Sequence, residues 1–175
     1  MKIRPEVGVV LAAAMFGSTA LHASDRHLHA HEHGVSSLKI AQENNKFLFE
    51  LEAPGNDIVG FEHAAKNDDQ KAAIDKALAE FAKPQEIFAL SSDAGCKVAD
   101  QEAEFETEDD HAGFHVKWSM TCDNPEMVKS MNIKFFDMFE RAEEVEVEAI
   151  GNAGQAAMEV EKGETSVDLS SAVGG

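Results

Sequence analysis

The sequence predicts an α+β fold: an antiparallel sheet carrying one main helix and some short helical turns. Three observations predict it. Phe114, Val116, Trp118, Met120 and Cys122 alternate with polar residues, the period-two pattern of a strand with one buried face. Leu38 and Ile40, then Phe47, Phe49 and Leu51, repeat that alternation on either side of the turn material Glu43-Asn44-Asn45, so residues 35–42 and 46–53 are expected to form a hairpin. Ile74, Ala77, Leu78 and Phe81 fall at i, i+3, i+4, i+7, an apolar stripe on a helix that Asn67 or Asp68 can cap.

The remaining elements follow in order. Pro54-Gly55-Asn56-Asp57 ends the second strand. Pro84 stops the helix and opens a short helical turn running towards Leu90, with proline at the first helical position, where its missing N–H costs nothing. Lys97 to Glu106 is the expected partner of the strand from Phe114. Its pattern is less regular, because pairing Cys96 with Cys122 sets Asp100 and Glu102 on the apolar side, a conflict that a β-bulge would repair. Asn124-Pro125 opens a short helix, and Met131 to Phe136 and Glu144 to Ile150 read as strands. Gly151-Asn152-Ala153-Gly154 then turns into a last strand, Ala156 to Glu161.

Residues 1–23 read as a cleavable signal peptide. Lys2 and Arg4 precede an apolar run, Val7 to Phe16, that is too short to span a bilayer, and small residues after it allow cleavage following Ala20 or Ala23. Residues 24–34 form a histidine-rich amino-terminal segment and residues 35–175 a single domain, so the exported part is soluble and is not inserted in the membrane. The expected address is the periplasm. The formal net charge of −18 disfavours nucleic acid and anionic lipid as partners, and suits either plain solubility or a surface that gathers cations. Cys96 and Cys122 are the only cysteines, and they are centred on Asp109 within the polar turn Thr107 to His111, as opposite positions on two antiparallel strands would be. In an oxidising compartment they are expected to pair, two free buried thiols being the alternative.

Eight histidines are present, and His27, His29, His31 and His33 occupy alternate positions, so an extended chain points all four the same way. Neighbours in such a row can chelate one ion, and neutral imidazole is a common zinc ligand. A mobile solvated tail is the competing reading. The hairpin brings the chain before Val35 and the chain after Ala53 to one end of the sheet, where His31, His33 and His63 can meet. His111 sits in an acidic turn beside Glu108, Asp109 and Asp110, which is either a solvated turn or an oxygen-rich second site. His115 falls on the polar face of its strand and is expected to be simply exposed. About 13 Å separates residues four apart on a strand, so His111 and His115 are not expected to share an ion. Glu62 is the one candidate general base, and the chain lacks an HExxH helix, a GxSxG elbow and a CxxC motif.

His31-Glu32-His33-Gly34, the strand Leu48 to Pro54 ending in proline, Val59-Gly60-Phe61-Glu62-His63, Ala94-Gly95-Cys96, His111, Cys122-Asp123-Asn124-Pro125 and Gly154-Gln155 together resemble the ZrgA type of periplasmic zinc-binding protein. The resemblance covers nearly the whole chain after the signal. It implies a protein that binds zinc in the periplasm, serves zinc uptake and passes the ion to a membrane importer, with Cys96 and Cys122 paired. Carried over by position, its ligand motifs fall on His31 and His33, on Glu62 and His63, and on His111, with His27 and His29 extending the first. Some members of the family carry a longer His/Asp-rich insertion in the middle, and in this chain only Glu102 to His115 stands in its place, so a high-capacity second site is not implied. The leading expectation is therefore a zinc scavenger or metallochaperone that is not an enzyme. The alternatives are a zinc-dependent envelope hydrolase with Glu62 as base, and a non-metal envelope interaction module with pH-sensitive histidines.

Overall fold

The computed structural model describes residues 33–108 and 111–174. The expected signal peptide, His27, His29, His31, Asp109 and Asp110 lie outside the described residues. In chain order the elements are β1 (Val35–Glu43), β2 (Lys46–Pro54), α1 (Gly55–Val59), α2 (Asp68–Phe81), α3 (Pro84–Ile87), β3 (Phe88–Leu90), β4 (Cys96–Glu108), β5 (His111–Cys122), β6 (Ser130–Ile133), α4 (Phe135–Met138), β7 (Glu144–Gly151), β8 (Gly154–Glu161) and β9 (Ser166–Asp168).

The hairpin forms where the alternation predicts it. β1 and β2 pair antiparallel from Ser37↔Glu52 to Glu43↔Lys46, and Asn44 takes the left-handed conformation that a two-residue turn requires, at φ 58°. β2 continues into β5, and β5 into β4, giving the order β4-β5-β2-β1-β7-β8. Cys96 lies directly opposite Cys122 and the two are joined by a disulfide. The β4 register shifts between Val98 and Asp100, and beyond this bulge Asp100 faces Ser119 and Glu102 faces Lys117 on the polar side. Burying two carboxylates in the core would cost more than one irregular backbone step, so the charge pattern dictates the bulge.

The apolar sides of these strands form one core with the small β3-β6-β9 sheet and α2. Asn67 caps α2 by accepting from the Gln70 N–H at 2.9 Å, and Ile74, Ala77 and Phe81 are its buried residues. Phe81 packs on Phe114 and Phe139, Phe88 lies edge-on to Trp118, and the Trp118 indole donates to the Phe81 carbonyl at 2.8 Å. That last bond fixes the end of the helix on the middle of β5.

One expectation needs correction, and two features add to the rest. The strand read over Met131 to Phe136 stops at Ile133. Phe135 and Phe136 are both buried, two neighbours that an alternating strand would send to opposite faces, and the single turn of α4 accommodates both. The antiparallel sheet also contains one parallel pair, β1 with β7, in register from Val35↔Glu144 to Ala41↔Ile150. Finally, Pro54 to Asp57 not only ends β2 but enters α1, the short helix that reverses the chain and positions the site.

Candidate metal centre

Three segments converge at one end of the main sheet. β1 begins and β2 ends there, and β5 begins there too, since Pro54 faces Gly113. His33 lies two residues before β1, His111 is the first residue of β5, and α1 returns the chain so that Glu62 comes to both of them. Gly55 makes this convergence possible. A Cβ on it would stand 2.5 Å from the Phe61 carbonyl oxygen and 2.6 Å from that of Ala112, so both neighbouring backbones lean on a residue without a side chain. Gly34, at φ +91°, donates its N–H to Asp57 Oδ2 at 2.9 Å, which anchors the residue after His33 to α1.

Glu62 is the centre of the cluster. Its Oε2 lies 3.0 Å from His33 Nε2 and 3.9 Å from His111 Nδ1. The side chain is only 16% exposed, and its Oε1 is buried with no hydrogen-bond partner among the described residues. His33 and His111 are open to solvent, at 67% and 69%. The ring of His63 stacks on Phe61, and its Nδ1 lies 2.9 Å from the Ala64 carbonyl oxygen. A carbonyl can only accept, so Nδ1 is the donor here, and in the neutral ring the lone pair then lies on Nε2, one of the two nitrogens through which histidine ligates metals. Among the described residues no hydrogen bond or ion pair links His63 to His33 or His111.

The cluster favours positive charge. The hydrogen bond to Glu62, and then the Glu62 charge, hold the His33 imidazole above its ordinary 6.5; burial opposes them weakly and Asp57 adds to them. Burial pushes the Asp57 carboxyl up from 3.8, with the Glu62 charge adding, against the Gly34 and Asn56 hydrogen bonds and the His33 charge. A cation placed among these groups would be met by Glu62 Oε2 and by the imidazole nitrogens of His33 and His111. The donor set is imidazole and carboxylate, which suits zinc.

His111 and His115 point to one side of β5, four residues apart and roughly 13 Å from each other, too far for one ion. His115 is not simply exposed, as the sequence suggests, but 18% exposed, with Nε2 at 2.8 Å from Glu50 Oε1 and Nδ1 at 4.0 Å from Glu106 Oε1. Ligand atoms of Glu50, Glu52 and His115 lie within 4.8 Å of one another. Sequence reasoning missed the two glutamates. Their signal was present in the β2 alternation, which sends Glu50 and Glu52 to the polar face on which His115 stands.

At this end of the sheet the α+β scaffold gathers imidazole and carboxylate groups around Glu62, one of whose oxygens is buried without a partner among the described residues. Residues 30–169 match the model of the ZrgA family zinc uptake protein, and the chain belongs to that family. The matched span includes His31, His33, Glu62, His63 and His111. No curated protein matches the chain.

Proposed function

We propose that the chain serves zinc uptake from the periplasm, holding zinc at the sheet end through His33, Glu62, His63 and His111, and passing it to a membrane importer. His31, with His27 and His29 behind it, supplies further imidazoles from the amino-terminal row. The observation that carries this reading is the Glu62 carboxylate, with one oxygen reaching towards both His33 and His111 and the other buried without a partner among the described residues. The same contacts weigh against a hydrolase, because a general base must be free to take a proton from water, and Glu62 faces two imidazoles.

The test is whether the domain or the row binds. His63→Ala should weaken zinc binding about as much as the double change His31→Ala, His33→Ala does, and a peptide covering Ser24 to Gly34 should bind far more weakly than the protein. Ligand deprotonation enters the measured heat, so all calorimetric titrations share one buffer and pH. A silent His63→Ala together with a fully competent peptide would assign binding to the tail and overturn the proposal.

A further inference from the structure

We infer that Glu50, Glu52 and His115 form a second zinc site on the open face of the main sheet, separate from the cluster around Glu62. Their register makes the group. Glu52 faces His115 directly across the β2–β5 pair, Glu50 is the next residue on the same side, and Glu104 faces His115 from the other flank, on β4. Tetrahedral zinc with bonds of ~2.0–2.1 Å needs ligand atoms roughly 3.3 Å apart. The three ligand atoms already lie within 4.8 Å, so closure requires side-chain movements of about 1 Å and none of the backbone.

The second observation concerns the imidazole itself. His115 has a carboxylate oxygen at each ring nitrogen, 2.8 Å from Nε2 and 4.0 Å from Nδ1. The Nε2 contact is a hydrogen bond to Glu50, so in the neutral ring the single N–H lies between these two ligand atoms. Zinc would replace that proton between Nε2 and Glu50, and the N–H moved to Nδ1 would point to Glu106, the carboxylate that orients a ligating imidazole. Glu52 has no hydrogen-bond or ion-pair partner among the described residues, so its charge is free to join. The competitor is Lys117, whose Nζ stands 3.8 Å from the same Glu50 oxygen, with Lys39 adding its charge nearby. One imidazole and two carboxylates leave positions for water, giving an open site that exchanges its ion faster than a closed four-ligand shell does.

The site stands on residues that the proposed function does not use, so either can fail alone. Zinc is titrated into the full exported chain, into Glu52→Gln/His115→Gln, and into His33→Ala/His63→Ala/His111→Ala. The first variant should bind one equivalent fewer than the unmodified chain, and the second should keep that equivalent. Lys117→Gln should tighten it severalfold. Imidazole nitrogen NMR of the unmodified protein reads the site without any mutation, and the His115 signals should move as that equivalent is added. Unchanged stoichiometry in Glu52→Gln/His115→Gln, or His115 signals that stay in place at saturating zinc, would overturn the inference. Should that variant fail to fold, the His115 signals decide alone.

Discussion

Gly55→Ala pits two effects of opposite sign against each other. Gly55 opens α1 and its φ is not positive, so alanine can adopt its backbone conformation, and by helix propensity the change should stabilise by up to about 1 kcal/mol. The added Cβ, however, would meet the carbonyl oxygens of Phe61 and Ala112 at 2.5 Å and 2.6 Å. Ordinary carbon–oxygen contact is roughly 3.3 Å, so each backbone must retreat by most of an ångström, and overpacking of this kind costs about 1–3 kcal/mol. Crowding wins, and the expected outcome is net destabilisation. The displaced segments carry Glu62, His63 and His111, and a binding geometry must be held to about 0.5 Å, so zinc affinity should fall by about tenfold or more. Urea unfolding of the metal-free protein and competition titration with a zinc chelator measure the two effects. An alanine variant as stable as the parent, binding zinc as tightly, would show that the three segments do not depend on contact at Gly55.

Reducing the Cys96–Cys122 disulfide should lower stability by roughly 3 kcal/mol, as expected for a loop of this length in the chain-entropy model, and denaturant midpoints with and without reductant check it. In the metal-free protein His33 should titrate above 6.5 by NMR, and Glu62→Gln should return it towards that value. A folded-state pKa above the unfolded one means that the favourable His33–Glu62 contact is fully present below the unfolded pKa and is lost as pH rises through the folded one.

Legibility followed from whether a residue's neighbours were local. The hairpin, β5 and the face of α2 were readable because their signals are periodic within one segment. The bulge in β4 was readable from a conflict, since Asp100 and Glu102 could not stay on the core side once Cys96 was set opposite Cys122. The parallel pairing of β1 with β7 was not readable, because nothing in either strand names its partner. Three-residue strands such as Phe88–Leu90 and Ser166–Asp168 are too short to show a period. The approach of His33 to the residues after β2 followed from the hairpin alone, whereas the contacts of Glu62 with His33 and His111 depended on α1, which the sequence presented as a strand ending. Glu50 and Glu52 were hidden for another reason: on a half-buried strand, outward glutamates look like a solvated face until a histidine on the next strand meets them.

The unsatisfied Glu62 oxygen also separates a built site from a binding tail, through the opposite signs expected of Glu62→Gln. In the metal-free fold Oε1 is buried without a partner among the described residues, which costs about 1–3 kcal/mol, more when the group is charged. The contact to His33 returns little of this, because that ring is 67% exposed and exposed ion pairs contribute about 0–1 kcal/mol. A neutral amide of the same shape is cheaper to bury, so Glu62→Gln should unfold at equal or higher temperature than the parent in chelator. Zinc reverses the order. A cation at this carboxylate recovers the burial cost, and the amide offers it a weaker ligand, so the variant should gain less thermal stability from a given zinc concentration. A floppy histidine row would bind zinc without any such trade-off, leaving the gain from zinc unmoved by a change at residue 62. A variant less stable than the parent in chelator, with the same gain from zinc, would show instead that Glu62 is a structural ion-pair partner and that the cation is held elsewhere.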